Sequence, residues 1–301
     1  MSASVSERPT PRVSTRSLRS LKEAGRPIVM LTAYDFHSAR LVEAAGVDAV
    51  LVGDSLGMTM LGHTSTLSVT MDDMVRATSA VSRACARVLV VADMPFMSYQ
   101  AEYAEGVRSA GRLLAEGGAH AVKLEGATAD TLALIGGLTD AGIPVMGHVG
   151  LTPQSINALG GYSTQGKAPV AAAQVIADAV MLEEAGAFAI VLECIPAELA
   201  QRVSAVVSIP TIGIGAGAGC DGQVQVFHDI LGLGDFLPRH AARYADLSAE
   251  IIGAVGSYAD DVRSGSFPGD DQSTHLEPEV LAEAELLYAA RFGDLDEGGI
   301  A

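Results

Sequence analysis

Five polar side chains follow five successive apolar segments of the sequence. Four of them are carboxylates and one is an imidazole: Asp54, Asp93, Glu125, His148 and Glu193. A single carboxylate after a strand commonly caps the helix that comes next. Five such residues favour a shared site, in which the carboxylates would repel each other unless they bind a cation or hold protons. Because carboxylate oxygens without cysteine suit a hard divalent ion, the pattern predicts Mg²⁺ rather than zinc.

Two further features accompany these residues. Lys123 and Glu125 are two positions apart, so on a strand their side chains share one face and approach the same site. Lys123 either neutralises a neighbouring carboxylate in the interior or offers a cation to a substrate carboxylate or oxyanion. His148 lies between glycines in GHVG (147–150). It is either a buried structural histidine or a residue of the site.

The segments that carry these residues recur along the chain. Short β-branched runs alternate with Ala-rich stretches of helical spacing, which predicts parallel strands joined by helices. The runs cover residues 28–35, 49–55, 87–96, 121–127, 143–151, 187–196, 209–219 and 224–230. Eight such units in about 200 residues fit a (β/α)₈ TIM barrel better than a doubly wound sheet. In a barrel the five polar residues lie at the C-terminal strand ends, where active sites are found.

Composition divides the chain into three parts. These are an N-terminal helical segment (1–27), a barrel domain (28–268) and an acidic C-terminal extension (269–301) with one helix over about residues 278–292. The loops 56–71 and 151–170 are longer than ordinary βα loops. Long loops on this face of a barrel are typical of functional lids.

Charge and apolarity exclude several classes of partner. The net charge of −17 argues against nucleic acid and against an anionic membrane surface. The cysteines Cys85, Cys194 and Cys220 have no CxxC spacing, which argues against a disulfide framework and a zinc site. No secretory signal is recognisable, so we expect a cytoplasmic protein. The mean hydropathy of +0.31, without an apolar run of about 18 residues that could span a membrane, predicts apolar surface buried in a homo-oligomer.

Specific strings of the sequence match a known family. They are VGDSLGMTMLGH (52–63), VVADMPFMSY (90–99), VKLEG (122–126), GHVGLTPQSINALGGY (147–162), VLECIPAELA (191–200) and IPTIGIGAGAGCDGQ (209–223). Together they closely resemble the ketopantoate hydroxymethyltransferase family over about residues 18–275. The resemblance implies a Mg²⁺-dependent (β/α)₈ barrel that assembles as a homodecamer. It also implies transfer of a hydroxymethyl group from 5,10-methylenetetrahydrofolate to 2-oxoisovalerate (3-methyl-2-oxobutanoate), through a Mg-stabilised enolate, to give ketopantoate for pantothenate and coenzyme A biosynthesis.

The resemblance also implies roles for single residues. Asp54 and Asp93 would be direct metal ligands, and Glu125 would assist through water. Ser55 and Lys123 would hold the carboxylate of the oxo acid. The implied substrate-binding set is Asp54, Ser55, Asp93, Lys123 and His148.

The resemblance implies roles for two more residues, and three other residues depart from the family pattern. Glu193 would be the proton-transfer base, and His148 would line the pocket. Thr64 stands where the family commonly has Asp, Ser68 where it has Pro, and Lys167 where it tends to have Arg. All three lie in the two long loops, so they concern the folate side and loop closure rather than the metal site.

Other functions fit parts of the pattern. A Mg-dependent lyase or mutase of the phosphoenolpyruvate mutase and isocitrate lyase type would share the barrel and the metal, but its catalytic cysteine loop is not found. A Schiff-base aldolase would need a deprotonated Lys123, which neighbouring carboxylates disfavour. A binding or scaffold protein would not need five polar strand ends. The G-x-G-x-x-G match at Gly217, Gly219 and Gly222 is a weak indication of nucleotide binding because no clear helix start follows it.

Overall fold

The computed structural model describes residues 12–293, and the predictions for 1–11 and 294–301 lie outside the described residues. Within that range, eight parallel strands, β1 to β8, close into a barrel in sequence order, with β8 paired to β1. The strands are Ile28–Thr32, Ala49–Val52, Leu89–Asp93, Ala121–Lys123, Val145–Gly150, Ala189–Glu193, Thr211–Ile214 and Gly222–Gln225. This confirms the (β/α)₈ TIM barrel, with the helices outside it.

The helices are labelled α1 to α12 in chain order. Their bounds are Thr15–Glu23, Phe36–Ala44, Leu56–Thr59, Met71–Ala84, Tyr103–Ala115, Ala129–Asp140, Ile156–Leu159, Pro169–Glu184, Ala197–Val206, Phe227–Leu231, Leu247–Ser264 and Pro278–Phe292. Short 3₁₀ turns cover Thr66–Ser68, Pro153–Ser155 and Asp270–Gln272. The predicted N-terminal helical segment is confirmed by α1, and the helix predicted near 278–292 is confirmed by α12.

The eighth strand differs from its prediction. The run 224–230 was expected to be extended, but β8 covers Gly222–Gln225 and Phe227–Leu231 is helical. The first residue of β8, Gly222, allows close approach to β1, because a Cβ there would lie 2.5 Å from the carbonyl oxygen of Ile28. The backbone N–H of Phe227 donates to Thr32 Oγ1 rather than to a neighbouring strand, so the ladder ends before it.

Helix α1 packs against one end of the barrel. Leu18 is fully buried in the inner apolar cluster, which also contains Ile28, Met30, Leu51 and Met146 from the strands. The side chain of Lys22 donates to carbonyl oxygens at the end of α9 and in the turn that follows, at Ser204, Val207 and Ile209. It also lies 3.0 Å from Asp221 Oδ2. These contacts attach the N-terminal helix to the barrel.

The described residues fall into two compact units, one ending at Asp246 and the other beginning at Leu247. The second contains α11 and α12, and none of the described residues in these two helices is buried. The boundary predicted at residue 268 stays a prediction. Of the helices in residues 12–293, none is both long and apolar enough to cross a membrane.

His120, just before β4, should make the stability of the barrel depend on pH. Its Nδ1 atom accepts a hydrogen bond from Val90 N at 2.9 Å. Burial, and after it the charge of Arg12, lowers the pKa of His120 from 6.5 to about 4. Between these values the unfolded chain binds more protons than the folded chain. The free energy of unfolding should therefore decrease as pH falls through this window.

Urea unfolding at a series of pH values checks this prediction. The urea concentration at the midpoint of unfolding should be lower at pH 4.5 than at pH 6.5 in the wild type. The decrease should be smaller in His120→Asn, whose amide oxygen can accept the same hydrogen bond without titrating. Equal pH dependence of the two proteins would show that His120 does not contribute.

Candidate active site

The five predicted polar residues meet at the C-terminal end of the barrel. The backbone N–H of Asp54 donates to Asp93 Oδ2 (3.0 Å), and Lys123 Nζ lies 2.8 Å from Asp93 Oδ1. His148 lies 3.4 Å from Lys123 through its Nδ1 and 3.3 Å from Glu193 Oε2 through its Nε2. A chain of contacts thus joins β3, β4, β5 and β6.

A cavity of about 980 Å³ opens at this end. All the sequence-predicted site residues line it: Asp54, Ser55, Asp93, Lys123, Glu125, His148 and Glu193. Asp54 does not act as a helix cap, since α3 begins at Leu56 and its N-cap residue is Ser55, which makes no side-chain cap. The carboxylate of Asp35, after β1, does cap α2. The capping interpretation therefore applies to Asp35 and not to Asp54.

Burial makes the charged forms of the carboxylates in this site energetically unfavourable. Asp54, Asp93 and Glu125 are each at most 7% exposed. Burial, and after it the charge of Asp93, raises the pKa of Asp54 to about 7. Burial also raises the pKa of Glu125, against the opposing charge of Lys123. A bound cation would stabilise the ionised forms of all three.

The donor set fits a hard divalent ion. Asp93 Oδ1 is buried and, although Lys123 Nζ is near, receives no well-aligned hydrogen bond in residues 12–293. Over the same residues, no three His, Cys, Asp or Glu side chains form a ready metal cage. Two carboxylates with positions left for water and substrate suit Mg²⁺, which binds few protein ligands.

Lys123 neutralises a buried carboxylate and also reaches the cavity. It is the register partner of Asp93 across β3 and β4, and it lines the cavity. Burial lowers its pKa, but the carboxylates of Asp93, Glu125 and Asp54 outweigh burial and raise it. Lys123 is therefore protonated, which suits binding of a carboxylate and does not suit attack on a carbonyl.

His148 is neutral in this environment. It is 2% exposed. Burial and the charge of Lys123 lower its pKa, despite the opposing effect of Glu193. Protonated Lys123 can only donate to Nδ1, which favours the tautomer with the imidazole hydrogen on Nε2, facing Glu193. The 3.3 Å contact of Nε2 with Glu193 Oε2 is not aligned as a hydrogen bond.

The backbone around Glu193 requires special residues. The next residue, Cys194, has a left-handed φ of +48°. Gly150, at the end of β5, has φ +97°, and a Cβ at this position would lie 2.2 Å from the carbonyl oxygen of Glu193. That oxygen accepts a hydrogen bond from Leu151 N. The second glycine of GHVG thus allows β5 to approach the C-terminal end of β6 closely.

Gln154 is a site residue that the sequence did not reveal. Its side chain donates to Asp54 Oδ2 and to the carbonyl oxygen of Met94, both at 2.9 Å, and its backbone N–H donates to Glu125 Oε2 at 3.0 Å. Tyr99 donates to Gln154 Oε1 and accepts from Glu125 N. The sequence signals were its position in the long loop 151–170 and in the family string GHVGLTPQSINALGGY (147–162), neither of which indicates what its side chain contacts. That loop is anchored directly to two of the carboxylates.

Ser55 lines the cavity, and of the three residues that depart from the family pattern only one does so. Ser55 Oγ lies 2.9 Å from the hydroxyl of Tyr34, whose pKa burial raises to about 12. Thr64 and Ser68 are exposed and stand apart from the cavity lining, whereas Lys167 lines the cavity. Of the three departures, Lys167 is therefore the one that a ligand can contact.

Comparisons with known proteins agree with this arrangement. The ketopantoate hydroxymethyltransferase family matches residues 12–270. A 3-methyl-2-oxobutanoate hydroxymethyltransferase from Carboxydothermus hydrogenoformans is 54% identical, over 92% of this chain and 99% of that protein. The enzyme of the same name from Syntrophus aciditrophicus is 53% identical, over 87% and 96%.

Solved structures with low sequence identity share the fold. Phosphonopyruvate hydrolase, solved with oxalate and Mg²⁺, is 15% identical at a TM-score of 0.56, over 92% of this chain and 98% of that chain. 2,3-Dimethylmalate lyase, of the PEP mutase/isocitrate lyase superfamily, is 18% identical at a TM-score of 0.56, over 97% and 100%. The family match and the close relatives settle the assignment: the chain belongs to the ketopantoate hydroxymethyltransferase family and is an enzyme that transfers a hydroxymethyl group.

Proposed function

We propose that this enzyme transfers a hydroxymethyl group from 5,10-methylenetetrahydrofolate to 3-methyl-2-oxobutanoate, with Mg²⁺ bound by Asp54 and Asp93. The acceptor and the transferred group are those in the names of its close relatives. The observation that carries the mechanism is the placement of the buried Asp54 and Asp93 opposite Glu193. In the closed order β1 to β8, β6 lies across the barrel from β2.

The buried end of the cavity would hold the oxo acid. Asp54 and Asp93 would bind Mg²⁺ directly, and Glu125 would act through water. When bound, Mg²⁺ supplies Lewis-acid stabilisation of the charge that develops on the C2 oxygen of the substrate. Lys123 and Ser55 would hold the substrate carboxylate. Lys123 suits this role because it is protonated and fixed by Asp93 at 2.8 Å.

Glu193 would accept the proton from C3 of the oxo acid. As that C–H bond breaks, its electron pair moves toward the C2 oxygen, and C3 becomes the nucleophile. Water supplies the oxygen of the one-carbon unit as both bonds from this carbon to the folate nitrogens break, which releases tetrahydrofolate and leaves a carbon at the oxidation level of formaldehyde. C3 attacks this carbon, and its oxygen takes up a proton to become the hydroxyl group of the product. A carboxylate on the wall opposite the metal ligands can reach C3 while C1 and C2 face the metal. Neutral His148, between Lys123 and Glu193, keeps a positive charge away from the base and leaves Glu193 free to accept the proton.

Deuterium exchange at C3 of 3-methyl-2-oxobutanoate tests this function. We expect exchange with Mg²⁺ alone and product formation only when methylenetetrahydrofolate is also present. Absence of both deuterium exchange and product formation in the folded wild-type protein would contradict the proposal. Exchange without transfer would leave enolisation in place and refute the one-carbon step.

The rival functions receive less support. The lyase and mutase structures are under 20% identical to this chain, so they show the fold alone, whereas the relatives above 50% identity are hydroxymethyltransferases. The Schiff-base mechanism conflicts with the raised pKa of Lys123 and its contact with Asp93. The hydroxymethyltransferase reaction is therefore favoured.

Gln154 should be important for activity although it carries no charge. In Gln154→Leu, Asp54 and the carbonyl of Met94 lose their shared donor, while the backbone N–H to Glu125 can remain. Loss of a residue that orients metal ligands typically costs about 10–100-fold in affinity or activity. We expect a Mg²⁺ concentration for half-maximal transfer at least about tenfold higher, measured by Mg²⁺ titration.

A matched variant controls for this change. Gln174 is an exposed glutamine on α8 whose amide donates to Asp178, and Gln174→Leu should leave the Mg²⁺ titration unchanged. If Gln154→Leu had the same Mg²⁺ dependence as the wild type, Gln154 would not orient the metal ligands.

Self-association is the second part of the proposal. Large apolar side chains are exposed along α11 and α12: Ile251, Ile252, Val255, Tyr258, Val262, Val280, Leu281, Leu286, Leu287, Tyr288 and Phe292. Exposed apolar surface of this extent favours an interface with other copies of the chain. We expect a homo-oligomer in the cytoplasm, a homodecamer by the family resemblance. Light scattering that gave a monomer mass at micromolar concentration would refute it.

A further inference from the structure

Ser55 can bind a carboxylate only if its hydroxyl proton points into the cavity. A serine hydroxyl has one proton and rotates about its C–O bond, so it can donate or accept a hydrogen bond, whereas an ionised carboxylate only accepts. Ser55 is half-buried and lines the cavity. The direction of its proton therefore decides whether Ser55 attracts or repels the group that it is proposed to hold.

Tyr34 contacts this hydroxyl from outside the cavity lining. It lies two positions after β1 and is 4% exposed, and its hydroxyl oxygen lies 2.9 Å from Ser55 Oγ. Burial raises the pKa of Tyr34, so the phenol keeps its proton and can donate it. A Cβ at Gly53 would lie 2.7 Å from Ser55 Oγ, so this glycine leaves the space that the serine hydroxyl occupies.

The ring of Tyr34 is fixed by its surroundings. It belongs to the same buried apolar cluster as Val52 and Leu56, which flank the segment that carries Ser55. Its centroid lies 5.6 Å from that of His228, with the two rings tilted by 35°. A ring packed in this way cannot follow Ser55 if the serine rotates. The phenol therefore acts on Ser55 from a constant position.

We infer that Tyr34 is a positioning residue, which donates its proton to Ser55 Oγ and thereby directs the proton of Ser55 to the carboxylate of the oxo acid. This inference rests on the proposed function, in which Ser55 and Lys123 hold that carboxylate. The contact between Tyr34 and Ser55 needs one proton, and when Ser55 donates to the substrate that proton comes from Tyr34. Two hydrogen bonds in series strengthen each other, and the second ends on a charged acceptor.

A fixed donor also selects among substrates. A carboxylate presents two acceptor oxygens, whereas a carboxamide presents one oxygen and an NH₂ group that must donate. Lys123 is protonated and can only donate. With Ser55 fixed as a donor, neither residue accepts a hydrogen bond from the amide. Tyr34 should therefore contribute to a preference for 3-methyl-2-oxobutanoate over 3-methyl-2-oxobutanamide.

Tyr34→Phe tests both effects, because it removes one hydroxyl and keeps the ring. Binding is measured by calorimetry with Mg²⁺ and without folate, so that no transfer occurs. We expect the Kd of 3-methyl-2-oxobutanoate to rise about three- to tenfold, the range for one lost hydrogen bond. The ratio of the Kd of the amide to that of the acid should fall at least about threefold. C3 exchange at saturating oxo acid should change less than about twofold, since Glu193 and the proposed metal ligands are untouched.

A second substitution identifies the route of the effect. In a Ser55→Ala background, Tyr34→Phe should change the Kd of the oxo acid less than about twofold, because the phenol acts through Ser55. Tyr103→Phe removes the hydroxyl of a 54% exposed tyrosine on α5 and should leave the Kd and the ratio unchanged. The ratio of amide to acid is measured on one protein, so a partial loss of folding does not alter it.

The outcomes separate this role from the proposed function. If Tyr34→Phe keeps the wild-type Kd and ratio, or weakens binding equally in the Ser55→Ala background, Tyr34 does not position Ser55. The proposed function would then still stand on exchange and transfer by the wild type. If the wild type binds the oxo acid through Tyr34 and Ser55 but forms no product with methylenetetrahydrofolate, the proposed function is wrong and the role of Tyr34 stands.

Discussion

Replacement of Glu193 with glutamine should lower hydroxymethyl transfer by about a thousandfold, within the range of 10²–10⁴ found for general bases. The amide has nearly the same size and shape as the carboxylate but cannot accept the C3 proton. Its KM for 3-methyl-2-oxobutanoate should change only a few-fold, because the metal ligands and Lys123 are untouched. Steady-state kinetics gives both values, and deuterium exchange should be lost with transfer.

The surroundings of Glu193 make this a clean substitution. The side chain is 15% exposed and its partner His148 is neutral, so an amide replaces the carboxylate without leaving a buried cation unpaired. The matched control is Glu198→Gln, on the exposed side of α9, which should keep wild-type kinetics. Unchanged turnover of Glu193→Gln would remove Glu193 from the mechanism.

The barrel could be predicted because its signal is periodic. Strands that are buried on both faces appear in the sequence as short runs of β-branched residues, and each run is followed by a stretch with helical spacing. The prediction was wrong at the end of the run 224–230, where Phe227 donates its backbone N–H to Thr32 and a helix begins. That ending depends on a side chain almost two hundred positions away, which local spacing does not contain.

The site could be predicted in part for the same reason. Asp54, Asp93, Glu125, His148 and Glu193 follow strands, and parallel strands bring their C-terminal ends together. Gln154 follows no strand run, carries no charge, and reaches Asp54 only through the conformation of its loop. Lys167 also lines the cavity through the conformation of that loop, and exposed loop side chains show no periodicity. Both positions depend on the tertiary structure.

Removal of the metal should have the other large effect. We expect EDTA to reduce both C3 exchange and transfer at least about a hundredfold, since Lewis-acid stabilisation supplies several kcal/mol, and added Mg²⁺ to restore both. Asp54→Asn and Asp93→Asn should weaken Mg²⁺ binding and activity together. Mg²⁺ should raise the melting temperature of the wild type, because it binds the folded chain, and should do so much less in either variant.

Conservative variants keep this test interpretable. Asp93→Ala would leave Lys123 buried beside an empty space, at a cost that could prevent folding, whereas asparagine keeps the shape and one oxygen. For Asp54→Asn, that oxygen can still accept from Gln154. Asp140→Asn, an exposed change at the end of α6, is the control and should keep the full response to Mg²⁺. Activity in EDTA equal to that in Mg²⁺ would contradict the metal site.

The same experiment separates the metal mechanism from a Schiff base on Lys123. Attack on the C2 carbonyl requires a neutral amine, but three carboxylates raise the pKa of Lys123, and removal of a cation strengthens their hold on its proton. Borohydride added with 3-methyl-2-oxobutanoate should therefore leave Lys123 unmodified, in EDTA as well as in Mg²⁺, as judged by mass spectrometry. A substrate adduct on Lys123, with exchange untouched by EDTA, would show that the lysine and not the metal activates the oxo acid.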